Sequence, residues 1–387
     1  MKARIPYSIL SRFLKNAKRI ATTSKINPAA WLVAVEVRGA NGTIHQSGWS
    51  GVDYVQNFPM TYNPDGSRGR MVLDRNKLSA LMPTKVKKAE RDRDVVLEEI
   101  SGTITVFWGG QAQGSFAAGC SEDFPPTPRT CNVVDRPVTY LKSDVLDALV
   151  AVSGAVSVDP CRLNLINVQM TLEGSQCTFV ATDGHRLHLV QTATVSFGEH
   201  GPGARKYLIG AETISILKSL TGGERNVTFD YQDLEDGGMI TYFGWGSGFI
   251  ICRMGSVTYP EYREILKIGH EGQIVADRAS LLDAVEGFCR AARAEKGSGR
   301  VNVELNGSIK ISGVFGTTAI CRDIPYRAKA GPDVTIGLNC DYLRAALGLL
   351  TSETVTLDFT DPLTQFTPFV IRDNKSARIA LVMPMRL

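Results

Sequence analysis

Two short runs hold the residues with the most chemistry to offer. One is Thr182-Asp183-Gly184-His185-Arg186-Leu187, and the other is the closing Leu381-Val382-Met383-Pro384-Met385-Arg386. A histidine beside an aspartate is the raw material of acid–base catalysis. Catalysis of that kind also needs a nucleophile, a metal cluster or a phosphate loop, and none accompanies His185. Gly244-Trp245-Gly246-Ser247-Gly248 lacks the G-x-G-x-x-G spacing and a following helix, so it reads as a hairpin. Taken as residues alone, Asp183-Gly184 is a tight turn between two strands. The period-two alternation of Met383 and Met385 is that of a last strand.

The elements that hold these runs recur. Ile9, Leu10 and Phe13 return as Val145, Leu146 and Leu149, and again as Leu281, Leu282 and Val285, 136 residues apart both times. Each trio opens an apolar stripe at helical spacing, continued in the first copy by Leu14 and Ala17. Ser143 and Asp144 are candidate caps for the second of these helices. A hairpin follows in each copy, with turns expected at Gly42, Gly174 and Gly307; Asn41-Gly42 and Asn306-Gly307 are strong turn dipeptides. A second glycine (Gly51, Gly184, Gly316) marks the next reversal, and second helices are expected near 75–82, 212–220 and 341–350. The copies close on Asp123-Phe124-Pro125, Thr258-Tyr259-Pro260 and Met383-Pro384. Boundaries near 132 and 270 give domains 1–132, 133–270 and 271–387, each of ordinary size. The expected class is α+β: three tandem strand-rich domains of two helices each, whose sheet edges could join into an arc. Only the middle copy carries T-D-G-H-R-L.

At 387 residues with 43% hydrophobic and 21% charged content, the chain is expected to be a multi-domain globular protein. No apolar run is long enough to span a membrane, and the basic first twenty residues hold no signal-like stretch, so a cytoplasmic location is expected. Eight cysteines, none in a C-x-x-C pair, read as free thiols without disulfide or metal; Cys252, Cys289 and Cys321 sit in apolar runs and are expected to be buried. The net charge of +4 is compatible with a nucleic-acid partner without indicating one. The charged 85–94 segment reads as a solvated loop.

The T-D-G-H-R-L run, Tyr259-Pro260-Glu261-Tyr262-Arg263 and the terminal Val382-Met383-Pro384-Met385-Arg386-Leu387, in this order, resemble the bacterial DNA polymerase III beta subunit family of sliding clamps. The threefold repeat fits as well. The resemblance is motif-specific in the second and third copies and weaker in the first. It implies a clamp fold in which one chain forms half of a ring, and a head-to-tail homodimer encircling double-stranded DNA. It implies a processivity factor rather than an enzyme, without a cofactor and associated with the nucleoid. It implies a groove between the second and third domains that takes a short peptide from the DNA polymerase catalytic subunit, the clamp loader and other partners. Carried over, the groove residues are Arg162, Leu165, Thr182, Gly184, His185, Arg186, Leu187, Pro260, Asn339, Tyr342, Leu381, Val382, Met383, Pro384, Met385 and Arg386. Methionines and a proline suit such a floor because they adapt to many partners. The cations implied at the DNA are Arg12, Lys15, Lys18, Arg19, Lys25, Lys77, Lys218 and Arg290, with Arg75, Arg293, Lys296 and Arg344 near them. Two other readings are a clamp-like accessory protein of a phage or mobile element, and a DNA-processing enzyme on a repeated scaffold.

Overall fold

The computed structural model describes residues 1–20, 31–48, 51–59, 68–122, 124–127, 139–193, 195–196, 204–220, 226–246, 248–361 and 367–386. The element order recurs three times. The first round is β1 (Lys2–Pro6), α1 (Tyr7–Ile20), β2 (Leu32–Arg38), β3 (Asn41–Gly48), β4 (Val52–Pro59), β5 (Gly69–Asp74), α2 (Arg75–Leu81), β6 (Asp94–Ile100), β7 (Thr103–Trp108) and β8 (Gln111–Ala117). The second is β9 (Thr139–Lys142), α3 (Ser143–Val152), β10 (Asn167–Glu173), β11 (Gln176–Thr182), β12 (Arg186–Ala193), the short β13 (Val195–Ser196), β14 (Arg205–Gly210), α4 (Ala211–Leu220), β15 (Asn226–Asp233), β16 (Met239–Trp245) and β17 (Gly248–Met254). A single turn, α5 (Arg263–Leu266), precedes the third: β18 (Gly272–Asp277), α6 (Arg278–Ala294), β19 (Arg300–Asn306), β20 (Ser308–Phe315), β21 (Thr318–Ile324), β22 (Tyr326–Ala330), β23 (Val334–Asn339), α7 (Cys340–Leu349), β24 (Thr354–Phe359), β25 (Phe369–Asp373) and β26 (Arg378–Val382).

Contacts divide the chain into two compact units, and the middle round contributes to both. Residues 1–143, 195–199 and 212–256 form one; 144–194, 200–211 and 257–387 form the other. The first unit holds the sheets β13-β9-β15-β16-β17-β4-β3-β2-β5 and β1-β6-β7-β8. The second holds β14-β10-β11-β12-β26-β25-β24-β18-β22 and β21-β20-β19-β23. Each long sheet is continuous across two rounds. In the first unit β17 runs antiparallel to β4, with Cys252 opposite Val52. In the second β26 runs antiparallel to β12, with Leu381 opposite Leu187. Both junctions obey one rule: the fourth strand of a round pairs with the last full strand of the next.

The helices form where the apolar stripes require them. Leu10, Phe13, Leu14 and Ala17 of α1 are buried, and Phe13 stacks on Tyr54 at 5.0 Å between centroids. In the second unit Leu281, Val285, Phe288 and Cys289 of α6 are buried, as are Leu343, Ala346 and Leu347 of α7. Side chains outside the stripes fix the starts. Asp74 accepts hydrogen bonds from the N–H groups of Asn76 and Lys77 at the head of α2, and Asp277 accepts from Ser280 at the head of α6. Ser143 and Asp144 lie inside α3 rather than before it; the Asp144 carboxylate accepts from the Val145 N–H at 3.0 Å.

Several expectations are corrected. The first hairpin does not turn at Asn41-Gly42. Arg38 faces Asn41 across the ladder, so the turn is Gly39-Ala40, and Gly39 has φ +63°. Gly42 lies within β3 under the Phe58 ring, where an added Cβ would stand 2.1 Å from a ring carbon. Gly42→Ala is therefore expected to lower stability by about 1–3 kcal/mol through overpacking, read as a shift in the urea midpoint; an unchanged midpoint would show that the Phe58 ring moves aside freely. The turns at Gly174, Gly184, Gly307 and Gly316 stand, all at positive φ. Cys321 is exposed, because β21 is the edge strand of its sheet; Cys177, Cys252, Cys289 and Cys340 are buried. The expected boundary near 132 and Cys131 lie outside the described residues.

Candidate partner-binding site

The T-D-G-H-R-L run is the reversal between β11 and β12, and Asp183 organises it. Its Oδ1 accepts from the N–H groups of His185 at 2.9 Å and Arg186 at 3.0 Å, and its Oδ2 accepts from Arg186 Nε at 2.9 Å. Thr182 closes the other side: its hydroxyl donates to the Arg186 carbonyl at 2.7 Å and accepts from the Gly184 N–H at 3.1 Å. Gly184 has φ +90°, a conformation glycine adopts at little cost, and Arg162 Nη1 would lie 3.4 Å from a Cβ there. The same Nη1 donates to the Asp183 carbonyl at 3.0 Å. Arg162 itself is placed by its loop: its carbonyl accepts from the N–H of the buried Leu165 at 2.8 Å.

From this turn the Arg186 guanidinium lies over the Tyr342 ring, 4.6 Å from its centroid. Tyr342 stands in the first turn of α7, whose cap is Asn339. The Asn339 Oδ1 accepts from Asp341 N at 2.9 Å and Tyr342 N at 3.2 Å, and its Nδ2 donates to the Ser298 carbonyl at 3.2 Å. The Asn339 oxygen thus caps α7 at Tyr342, and its nitrogen anchors the cap to Ser298. Burial, with the Asp183 carboxylate behind it, raises the Tyr342 pKa, so the phenol is neutral.

The C-terminal run is the continuation of β26. Its pairing with β12 extends past the strand through Met383 N–H to the His185 carbonyl at 2.8 Å, and Met385 N–H then donates to the Gly337 carbonyl of β23 at 2.7 Å. Leu381, Val382 and Pro384 are buried; Met383 and Met385 are half-buried; His185 and Arg386 are exposed. Under them runs a packed apolar band of Val180, Leu187, Leu189, Tyr259, Tyr262, Val370 and Leu381, with Ile265, Ile379 and Met383 along its edge. The 259–263 run lies against this band, and the Tyr259 hydroxyl donates to the Val180 carbonyl at 3.3 Å. Pro260, beside it, is exposed.

All of the nominated groove residues therefore belong to one unit, and contacts join Arg162, the 182–187 turn, Tyr342 and the terminal run. Sequence reasoning missed Asp183, Tyr259 and Tyr262. An aspartate directly before a turn glycine is a signal for the first. The tyrosines gave no separate signal, because a short motif does not reveal which sheet it packs on. Among the described residues no group of His, Cys, Asp and Glu is placed to hold a metal, and no helix is long and apolar enough to cross a membrane.

The nominated cations divide by their surroundings. Arg12, Lys15 and Lys18 are exposed on α1, and Lys77 and Lys218 are exposed on α2 and α4. Arg290 is exposed 3.9 Å from Glu286. Arg75 is buried and donates to the Ala17 carbonyl at 2.9 Å, so it ties α2 to α1 instead of facing solvent. Arg293 and Arg344 both turn to Asp341, at 2.7 and 3.8 Å. Lys25 and the side chain of Arg19 lie outside the described residues.

The chain resembles known proteins in sequence and in fold. No family model matches it. Over 314 residues, 78% of this chain and of the relative, it is 23% identical to the beta sliding clamp of Synechococcus elongatus. Over 293 residues, 75% of each, it is 24% identical to the beta sliding clamp of Escherichia coli K12. Among solved structures, the DNA polymerase sliding clamp of Bacillus subtilis matches with a TM-score of 0.83 at 18% identity, covering 100% of this chain and 99% of that one. A putative DNA polymerase III beta subunit from Eubacterium rectale matches with a TM-score of 0.83 at 16% identity over the same shares.

Proposed function

We propose that this chain, which has the sliding-clamp fold along its whole length, is a DNA polymerase processivity factor. In this reading it has three clamp domains, 1–132, 133–270 and 271–387, and acts by holding partners on duplex DNA. A tether of this kind performs no bond chemistry. It raises the partner's effective concentration at the template.

The observation that carries the reading is the joined site: the 182–187 turn, latched by Asp183, is hydrogen-bonded through His185 to Met383 of the terminal run. It offers exposed polar groups beside half-buried methionines over an apolar band, which suits a short peptide with apolar anchors. The polymerase, the clamp loader and other DNA-processing proteins would compete for it. Deleting 383–387 is expected to abolish binding of a polymerase-derived peptide while the circular dichroism melt keeps its shape. Full-strength binding by the truncated chain would refute the site.

Ring closure has its own support. The pairing rule seen twice within the chain leaves two strands over. β21, fourth in its round, and β8, last in its round, each have one neighbour among the described residues. Two copies could pair β21 of one with β8 of the other at both joints, extending the rule to six domains under a two-fold axis. Phe116 of β8 would lie at each joint. Arg12, Lys15, Lys18, Lys77, Lys218 and Arg290 would then act as water-separated, sequence-independent phosphate contacts that permit sliding. The mass in solution tests closure, since a strict monomer at micromolar concentration would overturn the ring.

A further inference from the structure

Residues 85–93 read Lys-Val-Lys-Lys-Ala-Glu-Arg-Asp-Arg, five cations against two carboxylates. The expectation of a plain solvated loop is only half right. The side chains of Lys85, Lys87, Lys88 and Arg91 are exposed, but the backbone beneath them is held. The carbonyls of Arg91 and Arg93 accept the first-turn N–H groups of Ser8 and Tyr7 of α1 at 2.9 and 2.8 Å. The Tyr7 hydroxyl donates to the Pro83 carbonyl at 3.1 Å, and the Tyr7 ring packs on Trp108 with centroids 5.3 Å apart. The segment thus satisfies two of the N–H donors that a helix start leaves open, which ties it to the head of α1.

Two consequences follow for charge. Arg12, Lys15 and Lys18 run along α1 from about one turn inside this junction, and the segment adds cations at the N-terminal end of the same helix. Lys88–Glu90 is a 3₁₀ turn, closed by Arg91 N–H to the Lys88 carbonyl at 3.4 Å. Residues three apart eclipse in that geometry, so Lys88 and Arg91 stand on one side about 6 Å apart. Glu90 pairs with Arg93 at 3.3 Å, and Lys85, Lys87, Lys88 and Arg91 make no ion pair among the described residues.

We infer that the 85–91 strip is a second phosphate-contacting surface, which works with the cations of α1 to hold the backbone of duplex DNA. The inference rests on the clamp reading above and adds a site to it. An acidic protein is the less fitting occupant. Protein interfaces are anchored by buried aromatic or large apolar side chains, and here the strip offers only Val86 and Ala89. Phosphate contacts need no such anchor and carry no sequence preference.

The test is salt-dependent binding of the full chain to a mixed-sequence duplex of about 30 base pairs, followed by fluorescence anisotropy. Each phosphate contact adds about 0.9 to the slope of log K against log salt. The K85Q/K87Q/K88Q/R91Q variant is expected to lower that slope by about 2 to 3.6 and to weaken binding more than tenfold near 50 mM salt. Glutamine leaves the carbonyls that cap α1 in place, so the melt should not change. K88E/R91E provides a second, smaller variant should the first fail to fold, with a slope loss of about 2 expected. A wild-type slope in both variants, together with a reduced slope in R12Q/K15Q/K18Q, would overturn the strip and leave the clamp reading standing. A wild-type chain whose duplex binding does not respond to salt would overturn both.

Discussion

Asp183→Ala is expected to unlatch the candidate partner site. The carboxylate accepts two backbone N–H groups and the Arg186 Nε, all within 3.0 Å, and is nearly buried. Hydrogen bonds to a charged acceptor contribute about 1.5–3 kcal/mol each, and water recovers part of the loss when the turn opens, so about 3 kcal/mol is the expected local cost. The effect on binding follows from position. With the latch gone, Arg186 is no longer held over Tyr342, and the His185 carbonyl that receives Met383 N–H is no longer fixed. A site populated only part of the time binds more weakly in proportion, and a drop in peptide affinity of at least about tenfold is expected by calorimetric titration. Asp183→Asn should fall between, because its oxygen still accepts the two backbone N–H groups while the charge on Arg186 goes unmatched. Wild-type affinity in the alanine variant would mean that the turn is only a link between strands.

The second large effect is a loss of stability in mild acid, traced to His188. This side chain is buried on β12, one residue beyond Leu187. Burial, helped by the positive charge of Arg186, pushes its pKa down to about 3. In the unfolded chain the imidazole gains its proton near pH 6.5. Between those values the unfolded state holds the extra proton, so stability falls as pH falls, by about 2 kcal/mol from pH 6.5 to 5, and the loss levels off only below the folded pKa. At pH 7 and above the term vanishes. Urea midpoints at pH 7.5, 6 and 5 should therefore decline in the wild type and decline less in His188→Leu, whatever the absolute stability of that variant. Parallel acid slopes in the two proteins would remove His188 as the cause.

Much of the scaffold was legible because its signals are local. The apolar stripes located α1, α3 and α6, and the second helices were placed within a residue or two. Failures came where a local preference met a distant constraint. Asn41-Gly42 is a good turn pair, yet pairing of β2 with β3 put the reversal at Gly39-Ala40 and left Gly42 to make room for Phe58. Arg75 looked like a surface cation, and only the fold brings the Ala17 carbonyl within its reach. Cys321 sits in an apolar run but on an edge strand, and edges cannot be read from one strand alone. The groove was nominated through resemblance and through comparison of the three copies, since only the middle one holds T-D-G-H-R-L. Its assembly was not legible. The ladder between β12 and β26 joins distant parts of the chain and leaves no periodic trace.

That ladder also sets a timetable. Arg186 pairs with Val382, nearly two hundred residues further on. During synthesis at about 5–20 residues per second, β12 waits on the order of 10–40 s for its neighbour, with its free edge and the Leu187 and Leu189 side chains uncovered. β4 waits as long for β17, since Val52 pairs with Cys252. A nascent chain thus passes through two periods of adhesive edge. The candidate site cannot form during either, because residues 383–386, which complete it, are made after both β12 and β17.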